Sequence, residues 1–271
     1  MRVLVASDSG NAGRENEDWA HADDRLVAVL DGATARTETG CIHGVTWYAH
    51  RLGSTVVELA HNYSTPLPQA LAGAISRVAA EHQDTCDLDH PGTPSAGISL
   101  VRFRRSSLEY LVLGDVSLAI DQGGELSVVT DDRVSRTAAA ERAEADRHPI
   151  GSPGKAEALL AMKHAELAAR NVPGGYWIAE ADPKVVEHAL TGSCEIGEQT
   201  SVAILSDGAA RAVTLGLLSW PDTMKLLRTE GPTELIALVR QAEAEDPHAT
   251  RWRRNKRSDD ATAVYADGFT A

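Results

Sequence analysis

The stretch Leu26-Val27-Ala28-Val29-Leu30-Asp31-Gly32 decides the fold prediction. Five consecutive apolar residues predict a strand buried in the core, and Asp31 places a carboxylate at its end. The pattern returns in Ser201-Val202-Ala203-Ile204-Leu205-Ser206-Asp207-Gly208, and a third apolar strand, from Ala261, follows Asp259-Asp260. The sequence therefore predicts that carboxylates from three distant strands meet in one folded core.

Carboxylates that converge in a core lose their hydration and repel one another unless cations neutralise them. This pattern contains oxygen donors only, with neither Cys nor His among them. Hard oxygen ligands are typical of magnesium or manganese sites rather than zinc sites. We therefore expect Mn²⁺ or Mg²⁺ as the cofactor.

The composition is that of an ordinary globular protein, with 43% hydrophobic and 24% charged residues. A chain of 271 residues can form one large core or two modest ones. Because no repeat, linker or low-complexity tract interrupts it, we predict a single domain over residues 1–271. The net charge of −13 argues against nucleic acid or an anionic membrane surface as a general partner.

The cysteines also bear on location. Cys41, Cys86 and Cys194 lie far apart and show no metal-binding spacing. An odd number of scattered thiols is typical of a reducing compartment. The N-terminus has no long apolar segment, and we therefore predict a cytoplasmic protein.

Hydrophobic periodicity predicts a mixture of strands and helices. Strands are expected at residues 2–8, up to Asp31, at 96–103, 108–113, 116–121 and 126–130, up to Asp207 and from Ala261. The four central strands, joined by short turns, indicate an antiparallel meander. Helices are expected at residues 41–59, 68–82, 133–147, 155–170, 182–190, 220–228 and 232–245.

Six short motifs occur in an order that resembles the metal-dependent protein phosphatases, the type 2C serine/threonine phosphatases. They are Asn16-Glu17-Asp18, Asp31-Gly32, Gly92-Thr93, Gly114-Asp115, Ser206-Asp207-Gly208 and Asp259-Asp260-Ala261-Thr262. Each motif alone is weak, but the ordered set spans almost the whole chain. The resemblance implies an α+β fold, a four-layer αββα sandwich in which two packed antiparallel sheets are flanked by helix pairs.

The resemblance also implies a set of metal ligands. Asp31 would bridge two ions, and the Gly32 carbonyl, Asp207 and Asp259 would bind the first of them. Glu17 would serve the second, partly through water, with Asp18 in support. Asp115 is similar to the carboxylate that some bacterial members use, together with Asp207, for a third ion. Because Asp260 stands beside Asp259, either could be the ligand.

The implied reaction is hydrolysis of a phosphate monoester by a metal-activated water, with Asp31 and Asp207 required for the chemistry. Phosphoserine or phosphothreonine in a protein is the expected substrate. Two alternatives stay open at this point: a small phosphate ester as substrate, or an inactive family member that serves as a regulatory binding module. The oligomeric state is not predicted.

Three departures from the family pattern concern the substrate. The family's phosphate-binding arginine would fall at Gly13, so Arg14, one position later, is predicted to bind phosphate and assist catalysis. The basic run 251–257 supplies rivals, Arg254 and Lys256. No histidine follows Asp31-Gly32 closely, so His43 is the candidate acid for the leaving group. The segment 131–176, where the family's mobile flap would lie, is strongly helical instead.

Overall fold

Two five-stranded sheets form the centre of the protein in the computed structural model, which describes residues 1–269. The strands are β1 (Arg2–Asp8), β2 (Trp19–Ala22), β3 (Leu26–Gly32), β4 (Ala96–Phe103), β5 (Ser107–Leu113), β6 (Ser117–Gln122), β7 (Glu125–Val129), β8 (Leu190–Glu195), β9 (Thr200–Leu205) and β10 (Ala261–Asp267). One sheet has the order β1-β10-β9-β6-β7 and the other β2-β3-β4-β5-β8. All neighbouring strands in both sheets are antiparallel.

The helices form the two outer layers and, within residues 131–176, a separate group that packs on itself. They are α1 (Gly44–Ala60), α2 (Leu67–His82), α3 (Arg133–Arg136), α4 (Ala139–Arg147), α5 (Pro153–Ala168), α6 (Asp207–Thr214), α7 (Trp220–Thr229) and α8 (Pro232–Glu245), with a 3₁₀ helix at Pro183–His188. The α1/α2 pair packs on the β3 sheet, whereas α6, α7 and α8 pack on the β9 sheet. The predicted four-layer αββα sandwich is therefore confirmed.

The core explains why β3 is apolar throughout. Alternate side chains of a strand face opposite sides. Leu26, Ala28 and Leu30 pack against α1 and α2, whereas Val27 and Val29 pack between the two sheets. A strand buried on both faces needs a continuous apolar run rather than an alternating one. By the same alternation, Asp31 lies on the side of β3 that faces the second sheet.

The predicted meander of four strands is wrong. β4 pairs with β5 in one sheet, but β6 pairs with β7 and β9 in the other. The chain crosses between the sheets at Gly114, which has a φ of +88°, and a Cβ there would lie 2.9 Å from Gly97 Cα. The short connection between β5 and β6 had suggested a hairpin. It is instead the point where the chain passes from one sheet to the other, and it places Asp115 between the sheets.

The other element predictions differ from the structure mainly at short segments. The expected helix at 133–147 is divided into α3 and α4, because Ala138 adopts a left-handed φ of 53°. Local hydrophobic periodicity did not predict β2, β8 or α6. These elements have only four, six and eight residues. The predicted domain, residues 1–271, includes two final residues outside the described range. Within that range, no helix combines the length and hydrophobicity needed to cross a membrane.

Candidate active site

Two carboxylates from different sheets meet at the centre of the molecule. Asp31 ends β3, and Asp207 opens α6 just after β9. The backbone N–H of Asp207 donates a hydrogen bond of 2.9 Å to Asp31 Oδ2. The structure thus brings together the two Asp-Gly motifs that lie 176 residues apart in sequence.

Burial and mutual repulsion disturb the ionisation of this acidic cluster. Burial raises the pKa of Asp31 well above its usual range, and the charge of Asp207 raises it further. Burial likewise raises the pKa values of Asp18 and Asp115 to about 7, with the charge of Asp207 adding to both shifts. Asp18 Oδ2 is buried and has no hydrogen-bond partner. An oxygen-rich, crowded and incompletely hydrogen-bonded cluster of this kind suits divalent cations.

The loop that carries Glu17 is held against the cluster by Asp260. Its Oδ2 accepts the Glu17 N–H at 2.7 Å, and its Oδ1 accepts the Gly10 N–H at 2.9 Å. A Cβ at Gly32 would lie 2.5 Å from the Glu17 carbonyl oxygen, so only glycine permits this close approach. Asp259 lines a cavity together with Asp31 and Asp207, whereas Asp260 does not, so Asp259 is the better candidate ligand of the pair.

Two cationic side chains contact Asp259. Arg211 donates to its Oδ2 at 3.0 Å, and the Lys256 ammonium donates to its Oδ1. Lys256 also donates to the Thr34 hydroxyl at 2.7 Å. Burial lowers the pKa of Lys256, but attraction to Asp259 and Asp207 outweighs burial and raises it overall. Lys256 therefore neutralises part of the acidic cluster, and an ion bound by Asp259 would share this carboxylate with it.

A cavity of about 570 Å³ lies over these carboxylates. Its acidic floor includes Asp31, Asp115, Asp207 and Asp259. One wall comes from the helical insertion, which we define as residues 131–176, and contains Arg142, Lys163, Glu166 and Tyr176. The segment where a flap was expected thus forms a helical wall of the cavity.

A model of the family described as protein phosphatase 2C matches residues 11–243. The chain belongs to the protein phosphatase 2C family. This membership makes it a metal-dependent phosphoric monoester hydrolase of the protein serine/threonine phosphatase type. It confirms the family resemblance on which the site prediction depends.

Solved structures of bacterial proteins share the fold over nearly their whole length. They include the catalytic domain of the serine/threonine protein phosphatase PstP in complex with two manganese ions (18% identity, TM-score 0.58, 98% of this chain and 97% of that chain), MsPP from Mycobacterium smegmatis in complex with cacodylate (18%, 0.58, 98% and 98%) and PppA of Pseudomonas aeruginosa (17%, 0.60, 99% and 97%). No protein in the curated set matches the sequence.

Arg36 and Arg14 each line a cavity beside the acidic cluster of this phosphatase 2C domain. Arg36 lines the same cavity as Asp31 and Asp207, and its guanidinium reaches the Asn255 carbonyl at 3.5 Å. Arg14 lines a neighbouring cavity of about 520 Å³ that also contains Glu17 and Asp259. The sequence predicted Arg14 rather than Arg36 as the phosphate-binding residue, although Arg36 is the first basic residue after Asp31-Gly32.

Arg254 does not have the contacts expected of a substrate-binding residue. It is buried, and its guanidinium donates to Asp246 Oδ2 at 3.2 Å and to the Glu243 carbonyl at 3.1 Å. These contacts tie the basic run to the end of α8. The donors of Arg254 are engaged within the protein, although Arg254 also lines the 570 Å³ cavity, and its role in substrate binding stays a prediction.

His43 lies outside the acidic cavity of the phosphatase domain. Its Nδ1 is 3.3 Å from Cys86 Sγ, and its ring stacks on Trp47 with centroids 4.3 Å apart. It lines neither of the two cavities described above. The geometry places His43 in a second cluster, and its role as the leaving-group acid stays a prediction.

Proposed function

We propose that this phosphatase 2C domain removes phosphate from phosphoserine and phosphothreonine residues of proteins in the cytoplasm. The observation that carries the proposal is the hydrogen-bonded pair Asp31–Asp207, which joins the ends of two sheets inside an acidic cavity. Family membership supplies the reaction class, and the scattered thiols support the compartment.

Manganese or magnesium is the proposed cofactor. Asp31, Asp207, Asp259 and the Gly32 carbonyl would hold a first ion, Glu17 with Asp18 a second, and Asp115 with Asp207 a third. The donor set fits, because every candidate ligand is an oxygen and the unpartnered Asp18 Oδ2 is left with a free lone pair. The manganese ions of PstP, a structure with the same fold, support manganese.

Bound ions would lower the pKa of a water so that hydroxide is available near neutral pH. The Asp207 N–H orients the Asp31 carboxylate, and Asp260 holds Glu17 in place through the backbone. Arg36 and Arg14 line the two neighbouring cavities at the cluster and can donate hydrogen bonds to phosphoryl oxygens. The helical insertion lines one part of the cavity.

A small phosphate ester is the second candidate substrate. The cavity volume of about 570 Å³ lies in the range of small-molecule sites. The basic side chains Arg142 and Lys163 on the helical wall could recognise a further acidic group of such a molecule. This wall occupies the place where a mobile flap was expected. A small phosphate ester therefore stays a candidate substrate beside a phosphopeptide.

The decisive test is hydrolysis of p-nitrophenyl phosphate by the full chain with manganese added or chelated. We expect EDTA to abolish turnover and Mn²⁺ to restore it better than Zn²⁺. A panel of phosphopeptides and small phosphate esters then compares kcat/KM between the two substrate classes. Full turnover in chelator would overturn the metal mechanism, and Mn²⁺ binding without turnover of any ester would support a regulatory binding module.

A further inference from the structure

Four potential soft metal ligands meet at the ends of α1 and α2. Cys41 and His43 precede α1, and His82 is the last residue of α2. Cys86 lies one helical turn after His82, and its backbone N–H donates a hydrogen bond of 2.9 Å to the His82 carbonyl. His82 is buried, and both cysteines are half-buried free thiols. Two sequence segments about 40 residues apart thus supply two ligands each, in the spacings Cys-x-His and His-x₃-Cys.

The four ligand atoms have the separations of a small tetrahedron. Cys41 Sγ is 3.2 Å from Cys86 Sγ and 3.7 Å from the Nδ1 atoms of both His43 and His82. All four ligand atoms lie within 4.8 Å of one another. Tetrahedral zinc, with its usual bond lengths to sulfur and nitrogen, separates its ligand atoms by roughly 3.3–3.8 Å. Little movement is needed to place an ion at the centre.

The surrounding side chains hold the two imidazoles in position. Trp47 stacks on His43, and its ring centroid lies 5.0 Å from that of His82. The Asp87 N–H donates to the Gly40 carbonyl at 2.9 Å, which joins the two ligand-bearing segments through the backbone. The ligands are therefore pre-organised by packing, as a metal site requires.

We propose that Cys41, His43, His82 and Cys86 form a structural zinc site separate from the oxygen-lined phosphatase centre. A Cys₂His₂ set fills all four positions of tetrahedral zinc with protein ligands, which is typical of structural rather than catalytic sites. Binding releases one proton from each thiol, so the ion meets two thiolates and two neutral imidazoles. The ion would tie the loop before α1 to the end of α2.

This site also has a consequence for the phosphatase centre. Residues 33–40 connect Gly32 to Cys41 and carry Thr34 and Arg36. A zinc ion bound by Cys41 and His43 would therefore anchor the far end of this loop. The zinc proposal does not depend on the proposed function, because its ligands lie outside the acidic cluster.

A Cys41–Cys86 disulfide is the competing use of the two thiols. The sulfur atoms are 3.2 Å apart, against about 2.05 Å for a disulfide bond. A disulfide would leave the two histidine Nδ1 atoms around it without a function. The convergence of both imidazoles on the thiol pair favours a metal.

Zinc content measured by mass spectrometry tests the proposal on the full chain, purified in reductant with zinc present. We expect about one tightly held zinc per chain in the wild type. Cys41→Ser and Cys86→Ser should lose at least about nine-tenths of it. Cys194→Ser is the matched control, because Cys194 lies in β8 outside the cluster, and it should keep its zinc. Asp207→Asn, which alters the phosphatase centre, should also keep it.

Cobalt titration of the wild type keeps the test informative if a cysteine variant fails to fold. Co²⁺ bound by thiolates should produce a sulfur-to-metal charge-transfer band that one equivalent of Zn²⁺ removes. Zinc should also protect two of the three cysteines from alkylation. Absence of the band and of thiol protection would overturn the proposal. So would zinc that survives in Cys41→Ser and Cys86→Ser but is lost in Asp207→Asn, or a Cys41–Cys86 disulfide that excludes zinc in reductant.

Discussion

The acidic centre and the thiol–imidazole cluster of this protein offer different types of ligand atom. The acidic centre gathers carboxylates at the ends of buried strands, between the two sheets. The thiol–imidazole cluster, Cys41, His43, His82 and Cys86, lies at the ends of two helices in an outer layer. Hard oxygen donors suit Mn²⁺ or Mg²⁺, whereas two thiols and two imidazoles suit zinc.

The difference shows how ligand chemistry can keep two metals apart in one chain. Structural zinc is fully coordinated by protein, whereas a hydrolytic centre must leave positions for water and substrate. The 570 Å³ cavity lies over the acidic centre, and none of the four thiol–imidazole ligands lines it. We therefore expect that a substitution in one cluster will abolish metal binding there without removing the metal from the other.

The largest expected effect is on turnover when Asp207 is changed. Asp207→Asn removes a charge from the proposed ion shell at the point where the two sheets meet. We expect kcat to fall at least about a hundredfold, or roughly 2.7 kcal/mol of transition-state stabilisation. The measurement is p-nitrophenyl phosphate hydrolysis at saturating Mn²⁺, with zinc content determined on the same sample. Near-wild-type turnover would show that the acidic centre is not the catalytic site.

A smaller effect is expected from the two arginines. Arg36→Ala should lower kcat/KM by roughly 10- to 100-fold, about 1.4–2.7 kcal/mol, because a charged donor to the phosphoryl group is lost. Arg14→Ala should also lower it, for every phosphate ester, but by less, because Arg14 lines the neighbouring cavity. Arg36→Lys is the matched control and should recover part of the rate. A larger loss in Arg14→Ala than in Arg36→Ala would exchange the two roles.

The smallest expected effect is an opposite pH dependence of stability in the two clusters. Without metal, the raised pKa values of Asp18 and Asp115, about 7 in the fold, mean that ionisation above pH 7 destabilises the native state. An acid whose pKa is raised by folding gains stability as pH falls from its folded pKa toward its unfolded value of about 4. Chelated protein should therefore melt a few degrees higher at pH 6 than at pH 8.

The thiol–imidazole cluster should change in the other direction. Protons compete with zinc for imidazole and thiolate, so the stabilisation by zinc should decrease as pH falls. The measurement is the Tm of chelated protein and of protein with one equivalent of zinc, both without manganese, from pH 8 to 5. A Tm difference between the two samples that does not shrink over this range would contradict protonation-linked zinc binding.

Much of the acidic centre could be predicted from sequence because its signals are local. A strand buried on both faces must be apolar throughout, and the residue after it lies at the sheet edge. The runs ending at Asp31 and Asp207 therefore predicted two core strands and a shared acidic site, and the fold has both. The candidate ligands in the sequence are all oxygen donors, and this predicted Mn²⁺ or Mg²⁺ rather than zinc for the acidic centre.

Other features depend on how distant segments pack, and local periodicity does not record that. The short turn at Gly114 is equally compatible with a hairpin and with a crossing between sheets, and only long-range strand pairing decides between them. The sequence did not indicate Arg36 as a lining residue of the cavity or the contacts that Arg254 and His43 make, because a side chain's partners depend on tertiary contacts. Buried Arg254, for example, pairs with Asp246 in the tertiary structure.

By itself, the sequence determined the strand cores and the carboxylates of the acidic centre, since each follows from a short apolar run and the residues at its end. The four-layer architecture was implied by the family resemblance of the ordered motifs. Only the tertiary structure decided that Cys41 and Cys86, 45 residues apart and without a recognisable metal spacing, lie together with His43 and His82. The reason is the packing of α1 against α2 on the β3 sheet, which brings the beginning of one helix to the end of the other.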